Sequence, residues 1–231
     1  MFKKPNKQDR NAEFLRSSGY EADVAYKEQF IDPKKTFLII CEGQNTEPEY
    51  FKGFPVPTKA VLIKGGCNTK SKLVEYALEI QNQPDYEGRE VWCVFDYDKK
   101  LDEALTQPKD FNKAITLAEQ NGMKVAWSND AFELWLLYHY ENIESCLTRN
   151  EIYKKLKGLW GLKSFSGEAK KLEFCKTLYS RHLQGEASQS LAIRWAKEQH
   201  KKFEGRNDFS NHCPCTTVYL LVEELNKNLK E

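Results

Sequence analysis

Four short apolar runs, separated by stretches with helical spacing, constrain this chain more than any other feature of its sequence. They are residues 36–41 (TFLIIC), 60–64 (AVLIK), 91–95 (VWCVF) and 123–127 (MKVAW). Runs this short, apolar without alternation, read as strands buried on both faces. Between them the spacing predicts a short helix over 46–54. A second follows, capped by Asn68 or Thr69, with Leu73, Val74, Ala77, Leu78 and Ile80 on one stripe until Pro84. A third over 111–120 ends at Asn121-Gly122. The order βαβαβαβ implies an α/β fold of Rossmann-like type, a mainly parallel sheet with helices on both faces, whose ligands sit beyond the carboxyl ends of the strands.

After the fourth run the pattern turns helical, over 131–140, 151–159, 168–179, 187–203 and 217–229. The expected organisation is an N-terminal arm (1–35), a catalytic domain (36–145) and a helical, basic C-terminal region packed on it (146–231). Apolar residues make up 40% of the 231 and charged residues 30%, which excludes disordered and low-complexity classes. The longest apolar runs have five residues, against the roughly 20 needed to cross a bilayer. No apolar stretch follows the basic start, so the expectation is a cytoplasmic protein without membrane association. Seven cysteines, scattered through strands and helices, suit reduced thiols. His212-Cys213-Pro-Cys215 lacks the second ligand pair of a zinc site.

The net charge of +1 hides an asymmetry. Residues 36–146 sum to −7, whereas residues 147–211 sum to +7. An acidic half beside a basic one suits an enzyme for polyanions, with cations on phosphates and carboxylates on a metal; a solvated helix surface gives the same pattern.

The acids at the strand ends sharpen this. The first run ends in Glu42-Gly43 and the third in Asp96-Tyr97-Asp98. Asp96 and Asp98, two apart on an extended segment, are expected to face one side. If the first and third strands are neighbours, about 4.8 Å apart, Glu42 joins them. Two carboxylates that close repel by roughly 3 to 4 kcal/mol at an effective dielectric near 20. Three together call for a cation, and oxygen ligands favour Mg2+ or Mn2+.

Ile40-Cys41-Glu42-Gly43 with Asn45-Thr46-Glu47-Pro48-Glu49-Tyr50-Phe51, then Val94-Phe95-Asp96-Tyr97-Asp98, Ser128-Asn129 and Phe132-Glu133-Leu134-Trp135, resembles the RloB-like family. Asn207-Asp208, Asn211 and Cys215-Thr216-Thr217-Val218 are similar to its C-terminal pattern. The Glu-Gly and D-x-D pairs also resemble the topoisomerase-primase (TOPRIM) metal-binding fold. The resemblance implies a TOPRIM-like phosphodiesterase in bacterial or archaeal defence against phage, working with an ATPase partner. It makes Glu42 a metal ligand or general base, and Asp96 and Asp98 metal ligands. Thr46 stands where a two-metal nuclease would carry a further acid, with Glu47 beside it.

Glu133, among apolar neighbours, either completes the metal site or forms a salt bridge. Lys64, ending the second strand, either faces the same crevice and neutralises a phosphate or is a surface lysine. Gly65-Gly66-Cys67-Asn68-Thr69 offers backbone N–H groups to phosphate or is a turn. Lys154, Lys155, Lys157, Lys170, Lys171 and Arg181, interleaved with Tyr153, Trp160 and Phe165, are the candidate nucleic-acid contacts. The leading expectation is a Mg2+-dependent nuclease for RNA, such as tRNA, or DNA. The alternatives are a non-catalytic TOPRIM-like effector of an ATPase and a D-x-D phosphatase; a homo-oligomer stays open.

Overall fold

The computed structural model describes residues 35–57, 60–66, 70–99 and 106–228. The expected N-terminal arm, Lys35 apart, lies outside them, as do Asn68 and Thr69. The described residues cluster as one compact unit.

Its centre is a sheet of β1 (Phe37–Cys41), β2 (Val61–Lys64), β3 (Glu90–Asp96), β4 (Lys124–Asn129) and β5 (Cys215–Thr216) in the order β2-β1-β3-β4-β5. The first four are parallel. Helices α1 (Thr46–Lys52), α2 (Lys70–Ile80) and α3 (Gln107–Gln120) connect them, so the Rossmann-like α/β order read from the apolar runs is the observed one. Alternate strand residues feed two cores. Phe37, Ile39, Cys41, Trp92 and Val94 pack on the side of Tyr50, Phe51 and Trp135, whereas Leu38, Ile40, Cys93 and Phe95 meet Leu73, Val74 and Phe111. Burying each large side chain contributes about 1.5 to 3 kcal/mol. That two-sided burial is why β1 carries no polar residue.

The C-terminal region is not wholly helical. After α4 (Glu133–Tyr138), which still belongs to the preceding domain, it holds α5 (Arg149–Leu159), α6 (Leu172–Cys175), α7 (Gln189–Lys201) and α8 (Val218–Asn226), but it also supplies β5, antiparallel to β4. The Thr217 N–H donates to the Trp127 carbonyl at 2.8 Å, and the Trp127 N–H to Thr217 Oγ1 at 2.9 Å. These bonds fasten the chain's end to the sheet. A two-residue strand is too short to leave a period in the sequence.

The continuous helix expected over 168–179 is broken into a π-helical turn (Phe165–Ala169), the four-residue α6 and a second π-helical turn (Leu178–His182). Glu168 Oε1 accepts from the Lys163 and Ser164 N–H groups at 2.9 and 2.7 Å, and Asn45 Nδ2 donates to the Lys170 carbonyl at 3.1 Å. Side chains thus take backbone groups that a regular helix would use. Helix α5 starts two residues earlier than expected, on a capping box: the Glu151 N–H donates to Thr148 Oγ1 at 3.3 Å, and the Thr148 N–H to Glu151 Oε2 at 2.7 Å. That places Arg149 in its first turn.

Candidate metal centre

Register assembles the site. Cys41 pairs with Val94, and the next residue, Glu42, donates its N–H to the Val94 carbonyl at 2.9 Å. The Glu42 carboxylate lies beside Asp96 and accepts its backbone N–H, with Lys70 Nζ 3.8 Å away. Burial still pushes its pKa up, and its Oε2 is buried with no hydrogen-bond partner.

Glu47 enters from the first turn of α1 and is buried. A Cβ on Gly43 would stand 2.0 Å from Glu47 Oε2, so only glycine at that position lets this carboxylate in. Burial, then the charge of Glu133, raise the Glu47 pKa to about 7. Asp96 ends β3; burial, then Glu47 and Glu133, push its pKa well above the ordinary carboxylate range, against a Phe132 backbone N–H donated to it and the charge of Arg149. Glu133, in the first turn of α4, is 1% exposed and ion-paired with Lys170. Four elements therefore deliver Glu42, Glu47, Asp96 and Glu133 to one end of the sheet.

Asp98 departs from the expected alignment with Asp96. Strand β3 stops at Asp96, and Asp98 has φ +50°, so strand alternation no longer applies. Its carboxylate pairs with Arg149, whose Nη2 donates to the Asp130 carbonyl at 3.2 Å and whose Nε lies 3.8 Å from Asp130 Oδ2. Its charge is felt at Glu42.

A family model described as RloB-like protein matches residues 37–225. The chain belongs to the RloB-like family. No curated protein and no solved structure matches it.

Among the described residues of the RloB-like chain, Lys70, Arg149 and Lys170 stand beside these acids, and of them the sequence marks only Lys170, for another role. Lys170 was expected on a nucleic-acid surface; the broken helix turns it inward onto Glu133, where it also lies 5.5 Å from the Tyr153 ring centre. Glu133 and Tyr153 hold it firmly protonated against its burial. Arg149 and Lys70 sit in first helical turns beside the cluster, and no spacing rule marks them. Lys64 is turned elsewhere: its ammonium lies 4.9 Å over the Tyr86 ring. In the glycine loop, the Gly66 N–H donates to the Gly43 carbonyl at 2.8 Å, which seats it against the Glu-Gly turn; Cys67, Asn68 and Thr69 lie outside the described residues.

Of the remaining basic candidates, Lys154, Lys157, Lys171 and Arg181 are exposed, and Lys155 is paired with Glu141 at 2.9 Å. Tyr153 and Phe165 stack on each other, centroids 4.2 Å apart. Beside Asp98 a cleft of about 730 Å3 opens, with Arg149, Asn150, Ser210 and Asn211 in its lining.

Among the described residues no three His, Cys, Asp or Glu side chains stand in a ready-made metal cage; Lys70, Arg149 and Lys170 lie against the acids instead. The donors nevertheless suit a hard divalent ion. They are all carboxylates, Glu42 keeps a buried oxygen without a partner, and Glu47 and Asp96 resist ionisation because burial and the neighbouring carboxylates outweigh the cations beside them.

Proposed function

We propose that this RloB-like protein is a Mg2+- or Mn2+-dependent phosphodiesterase acting on nucleic acid, RNA such as tRNA or else DNA, with a TOPRIM-like domain and a role in antiviral defence alongside an ATPase. The observation that carries the reading is the excess of buried negative charge at the carboxyl edge of the sheet: Glu42, Glu47, Asp96 and Glu133 crowd together, with Lys70 and Lys170 beside them. Glu42, Glu47 and Asp96 would hold the ion, with Asp98 able to join on leaving Arg149. When bound, the ion supplies Lewis acidity toward a phosphate oxygen.

The chain's own groups do the rest. With the ion in place, Glu47 would stand in the site as a carboxylate, the added positive charge offsetting the burial and the Glu133 charge that raise its pKa in the metal-free fold. Lys70 and Arg149 neutralise phosphate charge beside the carboxylates. The polar cleft beyond Asp98 receives the flanking nucleotide. The test is cleavage of end-labelled oligoribonucleotides and oligodeoxynucleotides by the full chain, with Mg2+ or with EDTA, and by the Asp96→Asn and Glu42→Gln variants. Cleavage by the wild type alone, and with metal alone, is the expected result. Wild-type rates from Asp96→Asn, or full activity in EDTA, would overturn the metal-site reading.

A further inference from the structure

Cys213 was set beside Cys215 in the sequence, yet the fold gives it a different neighbour. Cys215 is buried in β5 and packs into the core around Phe111 and Trp127. Cys213 is half-buried at the cleft beside Asp98, and its thiol lies within hydrogen-bonding reach of the exposed Cys146 thiol. The two cysteines come from different segments that line the same cleft. Cys146 precedes the capping box of α5 and is three residues from Arg149, whereas Cys213 follows the 3-10 turn Phe209–Asn211.

We propose that Cys146 and Cys213 are a modification site, a dithiol in the lining of the cleft that closes into a disulfide under a low-molecular-weight disulfide oxidant. Burial and the neighbouring Cys146 keep Cys213 protonated, so the exposed Cys146 reacts first. Its thiolate attacks one sulfur of the oxidant; the oxidant's S–S bond breaks, a mixed disulfide forms and one small thiol leaves, taking up the Cys146 proton. Cys213 sulfur then attacks Cys146 Sγ, the mixed S–S bond breaks, and a second small thiol leaves with the Cys213 proton. Two protein thiols are oxidised and one small disulfide is reduced to two thiols. The bond ties the start of α5, and with it Arg149, to the segment after the 3-10 turn and holds the lining of the cleft beside Asp98 rigid. That rigidity acts on the proposed nuclease; the cross-link itself does not depend on that reading.

The full chain would be treated with oxidised glutathione, alkylated without reduction, digested and mapped by mass spectrometry. The expected product joins the Cys146 peptide to the Cys213 peptide, two hydrogens lighter than the separate peptides, with fragment ions placing the link on Cys213. Dithiothreitol reverses it, Cys213→Ser abolishes it, and Cys215→Ala leaves it intact. Undiminished alkylation of Cys146 and Cys213, or a link from Cys146 to Cys215, would overturn the site. Amide hydrogen exchange over residues 146–150 is expected to slow several-fold on oxidation; unchanged exchange would overturn the rigidity. Oligonucleotide cleavage, measured in parallel, should fall at least tenfold on oxidation of the wild type, whereas in Cys146→Ser the ratio of oxidised to reduced activity should stay at one. A protein that forms the link on oxidation yet cleaves nothing when reduced would reject the nuclease and leave the dithiol standing.

Discussion

Glu47 ionises in the folded chain near pH 7, against an ordinary value of 4.5, because burial and the charge of Glu133 oppose its carboxylate. A carboxyl whose folded pKa is raised holds its proton better in the native state. The metal-free protein therefore loses stability as pH rises through that interval and levels off above it. His139 has the opposite sign. Buried against Trp135, its folded pKa drops to about 4 from 6.5, so it supports the fold above 6.5 and loses that support as pH falls toward 4. Thermal unfolding in EDTA across pH 5 to 8 should therefore compare wild type with Glu47→Gln, which retains the His139 contribution and lacks the carboxyl one. The variant should gain on wild type steadily as pH rises to 7; a constant difference would refute the assignment. Asp96→Asn removes one member of the repelling group and should raise metal-free stability by about 1 kcal/mol after screening, measured by urea unfolding. Metal-free destabilisation by Asp96→Asn would mean that its charge is already balanced in the fold.

The broken helix after α5 has one consequence for the site: it carries Lys170 inward to Glu133. Lys170→Met leaves a carboxylate that is 1% exposed without its partner, and because the lysine itself is 39% exposed the cost falls below the roughly 3 to 5 kcal/mol of a fully buried pair. Adding Glu133→Gln should restore most of that loss, because the orphaned charge goes with it. Equal denaturation midpoints for the single and double variants would show that Lys170 acts through packing alone. This element also marks where the sequence stops being legible. β1, β3 and their terminal acids are readable because continuous apolar runs and a parallel sheet leave few alternatives, and Gly43 follows from how closely Glu47 approaches it. The π-helical turns are not readable, because Asn45, 125 positions earlier, takes up the Lys170 carbonyl that would continue a helix. Lys70 and Arg149 escape notice for a similar reason: what places them is where their helices begin. The site's acids were visible one by one, but their separation into Asp96 with Glu47 and Asp98 with Arg149 depends on β3 ending at Asp96.

Across the whole molecule, the −7 of residues 36–146 and the +7 of residues 147–211 are partly consumed by one another, since Arg149 and Lys170 pair with Asp98 and Glu133, and Lys155 with Glu141. The positive charge left to meet a polyanion is therefore smaller than the segment sum and lies on exposed side chains such as Lys154, Lys157, Lys171 and Arg181. This separates lysines that sequence alone treats alike. If Lys154 and Lys157 hold a nucleic-acid backbone, each phosphate contact releases counterions, and log affinity falls with log salt by about 0.7 per contact on a single strand. Binding of a fluorescent single-stranded oligonucleotide to the Asp96→Asn protein, titrated from low to moderate salt, measures that slope without cleavage. Lys154→Gln with Lys157→Gln should flatten it by about 1.4, which is two contacts' worth, and weaken binding evenly across sequences. Lys155→Gln should change it less, because Glu141 already competes for that ammonium. Identical slopes for all three proteins would make this helix face a solvated surface and move the backbone contacts to another face of the molecule.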